Sequence, residues 1–162
     1  MKRFLLIAVG LALLGAPARA GYDKTEWGMS PEQVAQALGP ERAAQVKPYA
    51  IRDGGWKVAN RGVTVLGEDR LPTTYEYEDG KLVLILMQQK KQKNCAAAVR
   101  HVQLQLGNPY RISDQVILRL IIWHDPARNT RVRLLVSTSI CDLHYEPLDQ
   151  YIEADRAAVA GG

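Results

Sequence analysis

Two cysteines and three histidines carry most of the capacity for chemistry in this chain. Cys95 follows Asn94 where a helix is expected to begin, and Lys90, Lys91 and Lys93 precede it. A helix N-terminus and nearby cations lower a thiol pKa and favour the nucleophilic thiolate. His124 or His144, both on later expected strands, would then act as the base of a papain-like dyad. Against that stands Cys141. An even pair of cysteines in an oxidising compartment reads as a disulfide, and Ala96-Ala97-Ala98 replaces the Ser and Gly residues that crowd such a nucleophile. The leading expectation is a Cys95–Cys141 bridge and no catalytic residue. The alternative is a small cysteine hydrolase using Cys95 with His124 or His144.

Three further groupings bear on binding. Asp142, His144 and Glu146 alternate along one expected strand, a spacing able to grip a metal, but alternating polar residues also mark a solvated strand face. The solvated face is the expectation, with no metal and no cofactor. Lys90, Lys91 and Lys93 join positive charge to a helix N-terminus and would suit an anionic partner surface, or simply a solvated connector that blunts a strand edge. His101, beside Arg100, reads as a surface residue. Trp56, Tyr75, Tyr77 and Trp123 are amphipathic aromatics on expected strands, and such residues suit the centre of a protein interface.

The first twenty residues bear on where any of this would operate. Met1-Lys2-Arg3 is basic, Phe4 to Leu14 is apolar, and Ala18-Arg19-Ala20 is a small-x-small cleavage pattern. Residues 1–20 are therefore expected to be a bacterial signal peptide, and the protein to be periplasmic or secreted. The apolar run is too short for a bilayer span, so no transmembrane segment is expected after cleavage. Loss of Lys2, Arg3 and Arg19, with no acids, takes the formal charge from +4 to +1. The basic pI of about 9.1 is thus largely the leader's, and gives no reason to invoke nucleic acid.

The elements that must position these residues announce themselves at Trp27 to Val34. Ser30 suits an N-cap, Pro31 the first helical position, and Gln33 completes a capping box. Met29 and Val34 stand at the spacing of a hydrophobic staple, and Gly39-Pro40 ends the helix. Trp27 reads as a core anchor. Pro40 to Val46 is expected to add a helical turn, with Asp53-Gly54-Gly55 a turn and Asn60-Arg61-Gly62 an interruption between extended pieces. Thr73 to Glu78 turns through Asp79-Gly80 into Lys81 to Gln88, a hairpin whose Asp-Gly supplies positive φ. A second helix runs from an Asn94 cap to Leu106, stopped by Gly107 and Pro109. Strands follow at Val116–Trp123, Thr130–Ser137 and Ile140–Tyr145, around a turn at 125–129.

Val34-Ala35-Gln36-Ala37-Leu38-Gly39 aligns without gaps on Val102-Gln103-Leu104-Gln105-Leu106-Gly107, which reads as an internal repeat. The fold expected is α+β: a short helix followed by an antiparallel β-meander, twice, in one domain at 21–150. Its halves are about 27–90 and 94–147, with a flexible tail at 151–162. The pattern Gly28-Met29-Ser30, Glu32, Val34 and Leu38-Gly39, leading into a Trp-containing meander, resembles the superfamily of β-lactamase-inhibitor-like domains and small outer-membrane-assembly lipoproteins. The resemblance implies an exported helix–sheet module that binds another exported or envelope protein through its sheet and has no catalytic residues. Gly21 stands where the lipid-attachment cysteine of the lipoproteins would be. The function expected is thus non-enzymatic protein binding or envelope maintenance, with inhibition of an exported enzyme its most concrete form.

Overall fold

The computed structural model describes residues 21–39, 45–50, 56–66, 69–88 and 95–160. The expected signal segment, the turn at 53–55, the lysine cluster of Lys90, Lys91 and Lys93, and the Asn94 cap lie outside these residues. The first helix, α1 (Pro31–Leu38), starts as its residues dictate. The Ser30 hydroxyl accepts from the Gln33 amide, and the Ser30 amide donates to Gln33 Oε1 at 2.8 Å. Both orphan donors of the capping box are thereby satisfied. Gly28, at φ 86°, lets the chain turn so that its amide donates to the Leu82 carbonyl. Trp27 is buried, and its indole N–H donates to Thr130 Oγ1 at 3.2 Å, across 103 residues of sequence.

The remaining elements follow as β1 (Gln45–Ala50), β2 (Trp56–Leu66), β3 (Asp69–Glu78), β4 (Lys81–Gln88), α2 (Cys95–Leu106), β5 (Arg111–Asp114), β6 (Arg119–Asp125), β7 (Thr130–Val136), β8 (Cys141–Pro147) and α3 (Ile152–Ala160). Single 3-10 turns stand at Pro126–Arg128 and Leu148–Gln150. The eight strands form one antiparallel sheet in the order β1-β2-β3-β4-β8-β7-β6-β5. The class is therefore α+β with a single sheet. Its last strand lies in the middle, with Ile85 opposite Tyr145 and Met87 opposite Leu143. β4 is thus a central strand; Leu82, Ile85 and Met87 are buried, and Val83, Leu84 and Leu86 are half-buried.

Strand alternation sorts the side chains onto two faces. One face carries Leu71, Tyr75, Tyr77, Ile85, Met87, Trp123, Leu134 and Leu143 and is closed by Val34 and Leu38 of α1 and Ala98 and Val102 of α2, all in one core. The Asp79-Gly80 turn forms with φ of 49° and 71°, as a tight hairpin requires. The disulfide joins Cys95 to Cys141 with Cα atoms 5.7 Å apart. It staples the first turn of α2 to the central strand β8 from the core side.

Several expectations give way. Gln45 and Val46 belong to β1, not to a helical turn, and Pro48 is accommodated because β1 is an edge strand. Asn60-Arg61-Gly62 lies inside one continuous strand. Asn60 is fully buried there, accepting from the Tyr77 hydroxyl at 2.6 Å and donating to the Pro31 carbonyl at 3.3 Å. Its polarity serves to tie β2 to α1. Val116-Ile117-Leu118 is the end of a hairpin; the strand starts at Arg119, and β5 precedes it. The expected flexible tail is α3, held to the opposite face of the sheet by Asp155.

Candidate functional site

The face of the sheet away from the core is polar on its second half. Strand register brings His124 opposite Arg131, Arg131 opposite Glu146, and Arg133 opposite His144. Six side chains form a continuous chain there. His124 Nε2 lies 2.8 Å from Asp155 Oδ2, and Arg131 grips the same carboxylate through Nε and Nη2, both at 2.7 Å. Arg131 Nη1 donates to Glu146 Oε2 at 2.6 Å, and Arg133 Nη2 donates to Glu146 Oε1 at 2.6 Å and to His144 Nδ1 at 3.1 Å. Tyr151 covers Arg131, with its ring 4.8 Å from the guanidinium, and Tyr110 stacks on His124 at 4.0 Å.

The electrostatics follow from this packing. Burial, reinforced by Arg133 and Arg131, pushes His144 down to about 4. It is neutral at neutral pH, and because Arg133 donates to Nδ1, its proton sits on Nε2. Burial alone would raise the Asp155 pKa, but hydrogen bonds from Arg131 and His124 outweigh it and hold the carboxyl below its ordinary value. Burial likewise works against the Arg131 charge, and its bonds to Asp155 and Glu146 more than restore it. Glu146 is buried, so it is no solvated-face residue; the expectation that Asp142, His144 and Glu146 simply face water is corrected at Glu146. Its two oxygens are taken by guanidinium groups. Among the described residues, no group of three His, Cys, Asp or Glu is placed to hold a metal ion.

The papain-like alternative is overturned by two observations. Cys95 is bonded to Cys141 and has no thiolate to offer. It also lies on the core side, while His124 and His144 project from the other face of the sheet. The aromatic surface is corrected as well. Tyr75, Tyr77 and Trp123 are interior, because their face of the sheet is the one the helices cover. Trp123 donates to the Gly107 carbonyl at 3.2 Å and so fastens the end of α2. The Trp56 side chain lies outside what the structure describes. His101 is half-buried on α2 and lines a shallow groove of about 520 Å³ with Leu66, Asp69 and Leu104; burial lowers its pKa.

The most exposed apolar feature is one that sequence reasoning assigned to a strand. The β5–β6 hairpin closes with the Gln115 amide donating to the Leu118 carbonyl at 2.9 Å, leaving Val116 and Ile117 as a two-residue loop. Such loops favour Gly, Asn or Asp at positive φ. Val116 and Ile117 are β-branched, neither has positive φ, and both are almost fully exposed. Ile112 on β5 and Ile140 beside the neighbouring β7–β8 turn are exposed too. An Arg119–Asp114 ion pair at 3.1 Å joins the two strands just below the loop. The available signal was the run of β-branched residues without a turn residue, and it pointed to a strand.

No family model matches the sequence, and no curated protein or solved structure matches it significantly. Among the described residues, no helix is long and apolar enough to cross a membrane.

Proposed function

We propose that this chain is an exported, non-enzymatic protein-binding module, and that the β5–β6 hairpin end is its contact surface. One observation carries the reading. Two almost fully exposed β-branched side chains stand at a hairpin tip, where they bury next to no surface against the described residues, so folding of this chain alone supplies no reason for them. The partner this surface fits is a protein with an apolar pocket, which Val116 and Ile117 enter as anchors while Arg119 and Asp114 form a polar rim. The disulfide and the leader-like first twenty residues support export. The order of one helix and four strands, then one helix and four strands, together with the Val34–Gly39 and Val102–Gly107 match, supports a duplicated unit of the inhibitor-like and assembly-lipoprotein kind. An exported enzyme whose active-site cleft receives the hairpin would be the most specific partner.

The test places a photo-crosslinking residue at Ile117 in the full-length chain, expressed in a bacterial host with an intact export pathway, with Asp79 on the other exposed hairpin as control. The reading expects a discrete heterologous adduct from position 117, none from position 79, and its loss in Val116→Asp with the fold intact. Adducts only between copies of this chain would replace the heterologous partner with a homo-oligomer. No adduct from position 117 would refute the surface.

A further inference from the structure

The geometry points to a second, latent binding site: Arg131 and His124 form a receptor for the carboxylate of an acidic peptide segment, filled in cis by Asp155 on a displaceable α3. The way α3 is held carries this. Helices dock on sheets through an apolar stripe, yet the only residue that α3 buries is Asp155, at 4% exposure. A nine-residue helix has little stability of its own. Tyr151, Ile152 and Ala158 are only half-buried, so the one fully buried anchor of α3 is the Asp155 carboxylate; the Arg156–Glu153 pair lies within the helix and does not touch the sheet.

The receptor is built before α3 arrives. Arg131 and His124 project from paired strands in fixed register. Arg131 is braced by Glu146 on β8, and Tyr110 stacks on the His124 ring, while Tyr151, which leads into α3, lies over the guanidinium. The guanidinium presents Nε and Nη2 side by side, the fork that matches a planar carboxylate. Next to it on the same face, Arg133 Nε is buried and has no hydrogen-bond partner among the described residues.

The ligand class follows from the charges around the fork. The groups that face Asp155 and Arg131 are His124 on β6, Arg133 on β7, Glu146 and His144 on β8, and Tyr151 ahead of α3. Glu146 already occupies Arg131 Nη1, so a dianionic phosphate would bring its extra charge against a buried carboxylate. A singly charged Asp or Glu side chain avoids that. A partner's acidic segment would thus compete with Asp155, and α3 would lift as it bound.

Amide hydrogen exchange on the full chain tests the competition. Residues 152–160 are expected to exchange at least ~100-fold faster than β7 and β8, through local opening. Sodium acetate, or an N-acetylated Asp amide, should accelerate that exchange further relative to sodium chloride at equal ionic strength. Exchange of α3 only at the rate of the central strands, or no difference between acetate and chloride, would overturn the proposal. A second arm uses Asp155→Ala. Acetate is expected to raise its melting midpoint saturably, and to lose that effect in Asp155→Ala with Arg131→Met. Inorganic phosphate rescuing better than acetate would overturn the carboxylate assignment. Should Asp155→Ala not fold, Asp155→Ser, whose short side chain leaves the Arg131 fork open, serves the same comparison.

Discussion

His144 should make the stability of this protein fall as the solution is acidified from pH 6.5 to 4. Its imidazole is buried beside two guanidinium groups and accepts a hydrogen bond from Arg133, so the folded protein refuses a proton there until about pH 4, against an ordinary value of 6.5. Above pH 6.5 the ring is neutral in both folded and unfolded chains, and its full contribution is present. Between 6.5 and about 4 the unfolded chain takes up a proton that the folded one excludes, and stability is lost with falling pH. At ~1.4 kcal/mol per pH unit, the loss accumulates to about 3 kcal/mol. His144→Asn keeps an acceptor near Nδ1 for Arg133 and removes the titration. Urea unfolding of both proteins at intervals from pH 7.5 to 4 should show the variant gaining on the wild type by about 3 kcal/mol. His101, also pushed down by burial, is common to both chains and cancels. Parallel profiles would refute the assignment of His144 as a neutral buried ring.

Further outcomes follow from the packing. Cys95→Ala with Cys141→Ala should destabilise the fold by roughly 4 kcal/mol, the loop entropy released when a 46-residue separation is no longer crosslinked, as measured by urea midpoint. Trp27→Phe should cost about 1 kcal/mol through loss of the bond to Thr130, and Thr130→Val in that background should cost much less than it does alone. Asn60→Ala should cost about 1–3 kcal/mol, because the Tyr77 hydroxyl and the Pro31 carbonyl both lose a buried partner; thermal unfolding that is unchanged would show that water replaces it.

Local physics was legible in the chain, and non-local pairing was not. Ser30, Pro31 and Gln33 specify a helix start through bonds that span three residues, and Asp79-Gly80 specifies a turn through its own φ angles, so neither depends on the rest of the fold. Tyr75, Tyr77 and Trp123 alternate as a half-exposed face would, but which face the helices cover is decided by strands far away in sequence. The same holds for Asn60, whose neighbours Arg61 and Gly62 signal a turn until β3 arrives to pair with them. The outer cluster was half visible. His144 and Glu146 were placed on one face, while Arg131, Arg133 and Asp155 join them only through the β7–β8 register and through a helix that composition alone assigned to a loose tail. Val116 and Ile117 were misassigned because β-branched residues ordinarily mark strands.

The position of β8 sets an order of events for the whole chain. Its hydrogen bonds run to β4 on one side and β7 on the other, so the two halves of the sheet meet only through a strand that ends at residue 147. Until that strand is made, β4 presents an open, strongly apolar edge, and Cys95 has no Cys141 to meet. Such a chain cannot complete its fold as it emerges from the ribosome. Closure waits for long-range pairing, which is slow, and in the interval the unpaired edge invites association with other chains. A chaperone that shields β4 during synthesis would suit this topology, and oxidation of the cysteine pair would then record that the last strand had found its place.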